Sequence, residues 1–233
     1  MNPADELDLR SEFLERLAHE LRGLSGITLG ALDEMEAIFL DAQSDASSLL
    51  ELARRGALRT LRLAEQLQRS AQLERGEVEW SPQTVDVAVL LDDVVQRVQA
   101  LHRRRNVAIE VQASSEPHTL SVDEEWFRAA LLEVITESLR RARTRVEVEF
   151  GKGAGSELTI VVRDDGQARL EPLLKRFSKQ ADSRGLGLSW ALVAEVVHAQ
   201  GGSLHFEGGN CVQMTLGSRE KGDCQSLETA AGV

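Results

Sequence analysis

Between Leu14 and Ile38 the positions Leu14, Leu17, Leu21, Leu24, Thr28, Ala31, Met35 and Ile38 recur at intervals of 3, 4, 3, 4, 3, 4 and 3 residues. A helix that buries one continuous stripe against another helix keeps such a period in register. The polar stretch DAQSDASS follows, offering Ser44, Asp45 and Ser47 as helix N-caps. A second run then places Leu50, Ala53, Ala57, Thr60 or Leu61, Ala64, Leu67 and Ala71 at helical spacing. The pattern predicts two antiparallel helices joined by a short connection. A lone hairpin buries one stripe per helix and closes no core, so pairing of two copies into a four-helix bundle, a homodimer, is expected.

The pattern changes after Gly76, a helix-ending residue, and Ser81-Pro82, an extended connector, which sets a domain boundary near residue 77. Beyond it VDVAVLLDDVVQRVQALH reads as a helix, NVAIEVQA as a strand and DEEWFRAALLEVITESLRRA as a helix. RVEVEF and ELTIVVRDD read as β-branched strands. The irregular GQARLEPLLKRFSKQADSR precedes a helix opened by GLGL, and SLHFEG and VQMTL read as closing strands. The expected fold class is α+β: a helical hairpin over residues 1–76, an α/β layer over 77–217 with helices on one face of a mixed sheet, and a frayed tail over 218–233.

Composition narrows the function. Lys and Arg total 27 against 38 Asp and Glu, a net charge of −11, which argues against a nucleic-acid or anionic-membrane surface. The N-terminus is charged throughout and no apolar stretch approaches the roughly 18 residues of a membrane span, so a soluble chain without a signal peptide is expected. Cys211 and Cys224 form neither a CxxC pair nor a disulfide framework, which fits a reducing cytoplasm.

Four places can carry chemistry. His19 lies between the seam leucines Leu17 and Leu21 and so points outward beside Glu20, a geometry open to a nucleophilic imidazole or to an ordinary exposed polar residue. VVRDDGQA runs a strand into Asp164, Asp165 and Gly166. A carboxylate there can accept from a base amino group, and the same residues also make a common strand exit. Gly185-Leu186-Gly187-Leu188 opens a helix, where free N–H groups favour an anion such as a triphosphate or simply allow close packing. Glu133 and Glu137 share one helix face, followed by Arg140 and Arg141: oxygen ligands for Mg²⁺ with a phosphate-binding arginine, or a solvated face with ion pairs.

In this order the pieces resemble a two-component sensor histidine kinase over residues 10–216. FLERLAHELRG is similar to the family's H box and LQRSAQLERGEVEW to the end of its second dimerisation helix. LLEVITESLRRA is similar to the N box, VVRDDGQA to the G1 box, LLKRF to the F box, and GLGLSWALVAEVVHAQGG to the G2 box with its following helix. The resemblance implies an ATP-binding domain of the gyrase, Hsp90 and histidine kinase (GHKL) type after the hairpin. It implies that His19 attacks the γ-phosphate of ATP, that Glu20 orients and deprotonates the imidazole, and that Asp164 holds the adenine amino group. Gly166, Gly185, Leu186 and Gly187 would frame the nucleotide, with Arg140, Lys175, Arg176, Lys179 and Arg184 as phosphate contacts. The phosphoryl group would pass to an aspartate of a separate response regulator, and the cofactors implied are ATP and Mg²⁺.

Several positions depart from the family pattern. Glu133 and Glu137 stand where the N box presents asparagines, Ala168 where the G1 box has its second glycine, Ser183 at the first G2 position and Leu24 where a proline usually follows the histidine. Gly23 stands four residues after the histidine, where bifunctional members carry Thr or Asn, so weak or absent phosphatase activity is expected. The N-box change leaves open a histidine phosphotransferase or pseudokinase with a degenerate ATP domain, and the heptads leave open a non-catalytic dimeric scaffold. Fewer than a dozen residues precede the first helix, so the signal is expected through a separate sensor protein, a segment outside this sequence or direct sensing.

Overall fold

The computed structural model describes residues 3–39, 45–102, 105–113, 118–153, 157–167 and 188–217. The chain divides into two compact units, Met1–Glu79 and Trp80–Val233.

The first unit holds helix α1 (Pro3–Phe39) and helix α2 (Asp45–Glu74). Arg54 Nε meets Asp33 Oδ1 at 3.2 Å and Arg75 Nη2 meets Glu15 Oε1 at 2.7 Å, so the helices run antiparallel. A Schellman turn ends α2: Gly76 (φ 66°) donates to Leu73 O and Glu77 N–H donates to Gln72 O. The α2 stripe follows the sequence pattern from its middle onward, with Ala57, Ala64, Leu67 and Ala71 buried.

On α1 the buried row is Ala18, Ser25 and Leu32, one heptad apart, with half-buried Arg22 and Leu29 between them and half-buried Glu15 before them. This row is one residue removed from the expected seam. Leu17, Leu24 and Met35, read from the sequence as seam positions, are exposed, as is Ile27. The reason is size: Ala18 and Ser25 let α2 approach closely, while the leucines line a second face of the same helix.

The second unit adds a two-stranded antiparallel ribbon, β1 (Gln83–Asp86) with β3 (Thr119–Val122), that the sequence pattern did not separate from its surroundings. Asp86 ends β1 and caps helix α3 (Val87–Leu101), accepting from Ala88 N–H at 2.9 Å, so the expected helix starts at residue 87 rather than 85. The main sheet comprises β2 (Ala108–Ala113), β4 (Arg145–Lys152), β5 (Leu158–Asp164), β6 (Gly202–Glu207) and β7 (Cys211–Leu216). Its strand order is β2-β4-β5-β7-β6; β2 and β4 are parallel and the other neighbours antiparallel, the mixed sheet expected.

Helix α4 (Glu124–Arg141) packs between α3 and helix α5 (Leu188–Ala199) against the sheet. Asp123 caps α4 by accepting from Trp126 N–H at 3.2 Å, and Glu124, Glu125, Arg140 and Arg141 complement its dipole. The core comprises Phe127, Leu131, Ile135 and Leu139 of α4, Leu192 of α5, and Ile160, Met214 and Leu216 of the sheet. Among the described residues no helix is long and apolar enough to cross a membrane. The expected tail 218–233 lies outside the described residues.

Candidate nucleotide and phosphotransfer sites

Strand alternation places the central carboxylate. Leu158, Ile160 and Val162 of β5 face the helices, so the next residue of that row, Asp164, carries its carboxylate under α4 with no side-chain exposure. Asn210, in the β6–β7 turn, fixes the backbone there: Asp164 N–H donates to Asn210 O at 3.0 Å and Asn210 Nδ2 donates to Asp164 O at 2.9 Å. Gly166 N–H donates to Asp164 Oδ1 at 3.1 Å. A Cβ at Gly166 would lie 2.6 Å from Arg141 O and 2.7 Å from Asp164 Oδ1, so the backbone approaches this carboxylate only because the residue is glycine.

Arg141, in the last turn of α4, brings Nη2 within 2.8 Å of Asp164 Oδ2. The two side chains form an ion pair; beyond it Asp164 Oδ2 has no partner, and Arg141 Nε is buried without one. Arg141 Nη1 donates to Gly209 O at 3.0 Å, and the guanidinium carbon sits 6.0 Å from the Trp190 ring centroid on α5. Burial pushes the Asp164 carboxyl above the usual carboxylate range, opposed by the Arg141 charge and by the Gly166 N–H. Asp165 points the other way and accepts from Arg143 N–H, Thr144 N–H and the Thr144 hydroxyl, which hold its carboxyl below the usual range.

The acidic pair on α4 is split by environment. Glu133 is buried, whereas Glu137 is half-buried and paired with Arg140 Nη1 at 2.9 Å. Arg140, expected at phosphate, thus meets Glu137, and its neighbour Arg141 is the arginine brought to Asp164. Among the described residues no three His, Cys, Asp or Glu side chains cluster as a metal site. One or two carboxylates completed by phosphate oxygens is a usual Mg²⁺ arrangement, and Glu137, the more accessible of the pair, is the carboxylate of α4 that could serve in it.

His19 is exposed on α1 directly after the buried Ala18, with Glu20 exposed beside it. Both line an open depression of about 400 Å³ together with Glu15, Arg22 and Gln68. Gly185, Leu186, Gly187 and Lys175, with Arg176, Lys179 and Arg184, lie outside the described residues. Sequence reasoning did not find Asn210 or Trp190. The Asn210 turn was legible only as a Gly-Gly-Asn break between strands, which says nothing of its partner.

Residues 122–220 match the family described as histidine kinase-, DNA gyrase B- and HSP90-like ATPase. Among curated proteins the chain is 22% identical over 211 residues to the sensor protein EvgS of Escherichia coli (strain K12), covering 85% of this chain and 18% of that protein. The chain thus spans about a fifth of the length of this curated relative. Among solved structures it is similar to full-length ShkA in complex with AMPPNP (TM-score 0.64, 24% identity, 88% of this chain and 44% of that one). It is also similar to the histidine kinase AdeS of Acinetobacter baumannii (TM-score 0.59, 16% identity, 87% and 98%) and to a mycobacterial sensor histidine kinase, MprB (TM-score 0.52, 23% identity, 60% and 99%). Residues 122–220 thus resemble an ATPase domain of the GHKL type, and the chain as a whole is similar to sensor histidine kinases.

Proposed function

We propose that this chain is a cytoplasmic protein-histidine autokinase of a two-component system. The observation that carries the reading is Asp164, a fully buried carboxylate with one oxygen lacking a hydrogen-bond partner, within the segment matched to the ATPase family. An acceptor left open in a buried site matches the exocyclic amino group of adenine. The imidazole of His19 attacks the γ-phosphorus, the N–P bond forms as the bond to the ADP oxygen breaks, and Glu20 takes the imidazole proton. Phosphoryl transfer of this kind depends on positioning and charge neutralisation more than on covalent machinery. Mg²⁺, held by Glu137 and Glu133, would supply part of that neutralisation.

The phosphoryl group then passes to an aspartate of a response regulator. Exposed Leu17, Leu24, Ile27 and Met35 on one side of α1 support pairing of two hairpins as a four-helix bundle. Gly23, with no side chain to position a water near His19, supports weak or absent phosphatase activity.

The test is transfer of γ-labelled phosphate from Mg-ATP to the purified chain, beside His19→Ala and Asp164→Ala. Acid-labile, base-stable label lost in both variants is expected. Label retained in His19→Ala overturns the reading. The N-box glutamates favour a second reading, a histidine phosphotransferase with a degenerate ATP domain. It predicts no label from ATP but acceptance of the phosphoryl group at His19 from the aspartyl phosphate of a regulator, whose aspartate is thereby freed.

A further inference from the structure

The Arg141–Asp164 ion pair leaves two buried polar atoms side by side with hydrogen-bonding capacity to spare. Asp164 Oδ2 is an acceptor without a hydrogen-bond partner and Arg141 Nε is a donor without one, both buried. Nε and Nη2 share one edge of the planar guanidinium, and Nη2 is 2.8 Å from Asp164 Oδ2, so the open donor and the open acceptor are neighbours. The other guanidinium nitrogen is committed: Nη1 donates to Gly209 O at 3.0 Å, which anchors the group against the β6–β7 turn. Trp190 flanks it, and the Gly166 backbone, close-packed against Arg141 O, occupies Asp164 Oδ1 with its N–H and leaves Oδ2 as the oxygen facing Arg141.

Buried polar atoms are nearly always paired, so an open donor beside an open acceptor calls for a ligand with the complementary edge. That edge is an amino donor adjacent to an acceptor nitrogen. We propose that Arg141 is a base-reading residue: Arg141 Nε–H donates to a ring nitrogen of a 6-aminopurine nucleotide while Asp164 Oδ2 accepts from its amino group. The inference rests on the nucleotide-binding reading above and adds to it a second, direct contact to the base. Arg141 adds selectivity to that of Asp164: the carboxylate rejects a base that presents a carbonyl, and Arg141 Nε–H rejects one whose adjacent ring nitrogen carries a hydrogen.

The test is calorimetric binding of ADP, 1-deaza-ADP and 7-deaza-ADP to the full chain, in wild type and in Arg141→Met, which keeps the stem and removes every donor. Wild type is expected to bind one of the two deaza analogues roughly tenfold more weakly than ADP, the loss typical of a hydrogen bond to a charged group. Arg141→Met is expected to bind ADP more weakly and to treat ADP and that analogue alike, with its melting transition retained in the absence of nucleotide. Equal affinity of wild type for ADP and both analogues overturns the proposal, and this comparison needs no variant. Tighter ADP binding by Arg141→Met overturns it too, since Arg141 would then compete with the base for Asp164. Failure of wild type to bind ADP at all refutes the nucleotide reading itself, an outcome distinct from ADP binding that is indifferent to Arg141.

Discussion

The two units bury their large side chains differently. In the unit from Trp80 onward, Phe127, Leu131, Ile135, Leu192 and Met214 are all fully buried within one chain. In the hairpin the α1 row that meets α2 is Ala18, Ser25 and Leu32, while Leu24 and Ile27 stay 61% and 75% exposed. If two hairpins pair as proposed, these side chains become buried only in the pair, and the hairpin's stability should depend on protein concentration where that of the second unit does not.

Phe127→Ala is the strongest probe of the self-contained unit. It should destabilise that unit by about 4 kcal/mol, the usual cost of emptying a buried aromatic site, with the urea midpoint unchanged across protein concentrations. Leu24→Ala probes the other side of the comparison. If two hairpins pair through this face, loss of both copies should weaken pairing by about 3 kcal/mol, roughly a hundredfold in dissociation constant by ultracentrifugation. A Leu24→Ala chain that stays as associated as wild type would erase the contrast between the units.

Much of the second unit was legible because its central strands β4 and β5 alternate cleanly. The row Leu158, Ile160, Val162 points straight to Asp164 as an inward carboxylate, so the site residue could be read from period alone. Arg141 could not be told from Arg140, because α4 is buried almost all round and offers no polar face to orient its last turn. The four-residue strands β1 and β3 were missed because each runs into a helix cap, Asp86 or Asp123, within a residue or so of its end. On α1 the leucines outranked Ala18 and Ser25 as core candidates by size. Close helix approach reverses that ranking, and a sequence in which one helix serves two faces does not say which face its own partner takes.

Gly166→Ala sharpens the comparison within the site. The added Cβ would press on the Arg141 carbonyl, backbone that cannot rotate away, so a loss of about 2 kcal/mol in the second unit is expected from denaturant unfolding. In the hairpin, glycine has the opposite consequence. A Cβ at Gly23 or Gly56 meets nothing within 4 Å, and both positions lie inside helices. Gly23→Ala and Gly56→Ala should each stabilise the hairpin by about 1 kcal/mol, read as a rise in its melting temperature. A fall would mean that these positions are covered in the associated protein.

The smallest effect comes from the adjacent carboxylates of β5, and its sign depends on pH. Asp165 is held below the usual carboxylate range, first by the Thr144 hydroxyl and then by the Thr144 and Arg143 N–H groups. Its folded value lies below the unfolded value of about 3.9, so its contribution is complete above that pH and declines as pH falls below it. Asp164 is shifted upward by burial, so the fold binds its proton more readily than the unfolded chain does, and stability falls as pH rises from about 4 through the folded value. In melts from pH 3 to 7, wild type should exceed Asp165→Asn by a margin that narrows in acid. Against Asp164→Asn, by contrast, wild type should do relatively better in acid and lose ground as pH rises. A pH-independent gap for Asp165→Asn would show that its amide replacement, rather than its charge, sets the difference, and would remove the electrostatic distinction between two residues that share one strand end.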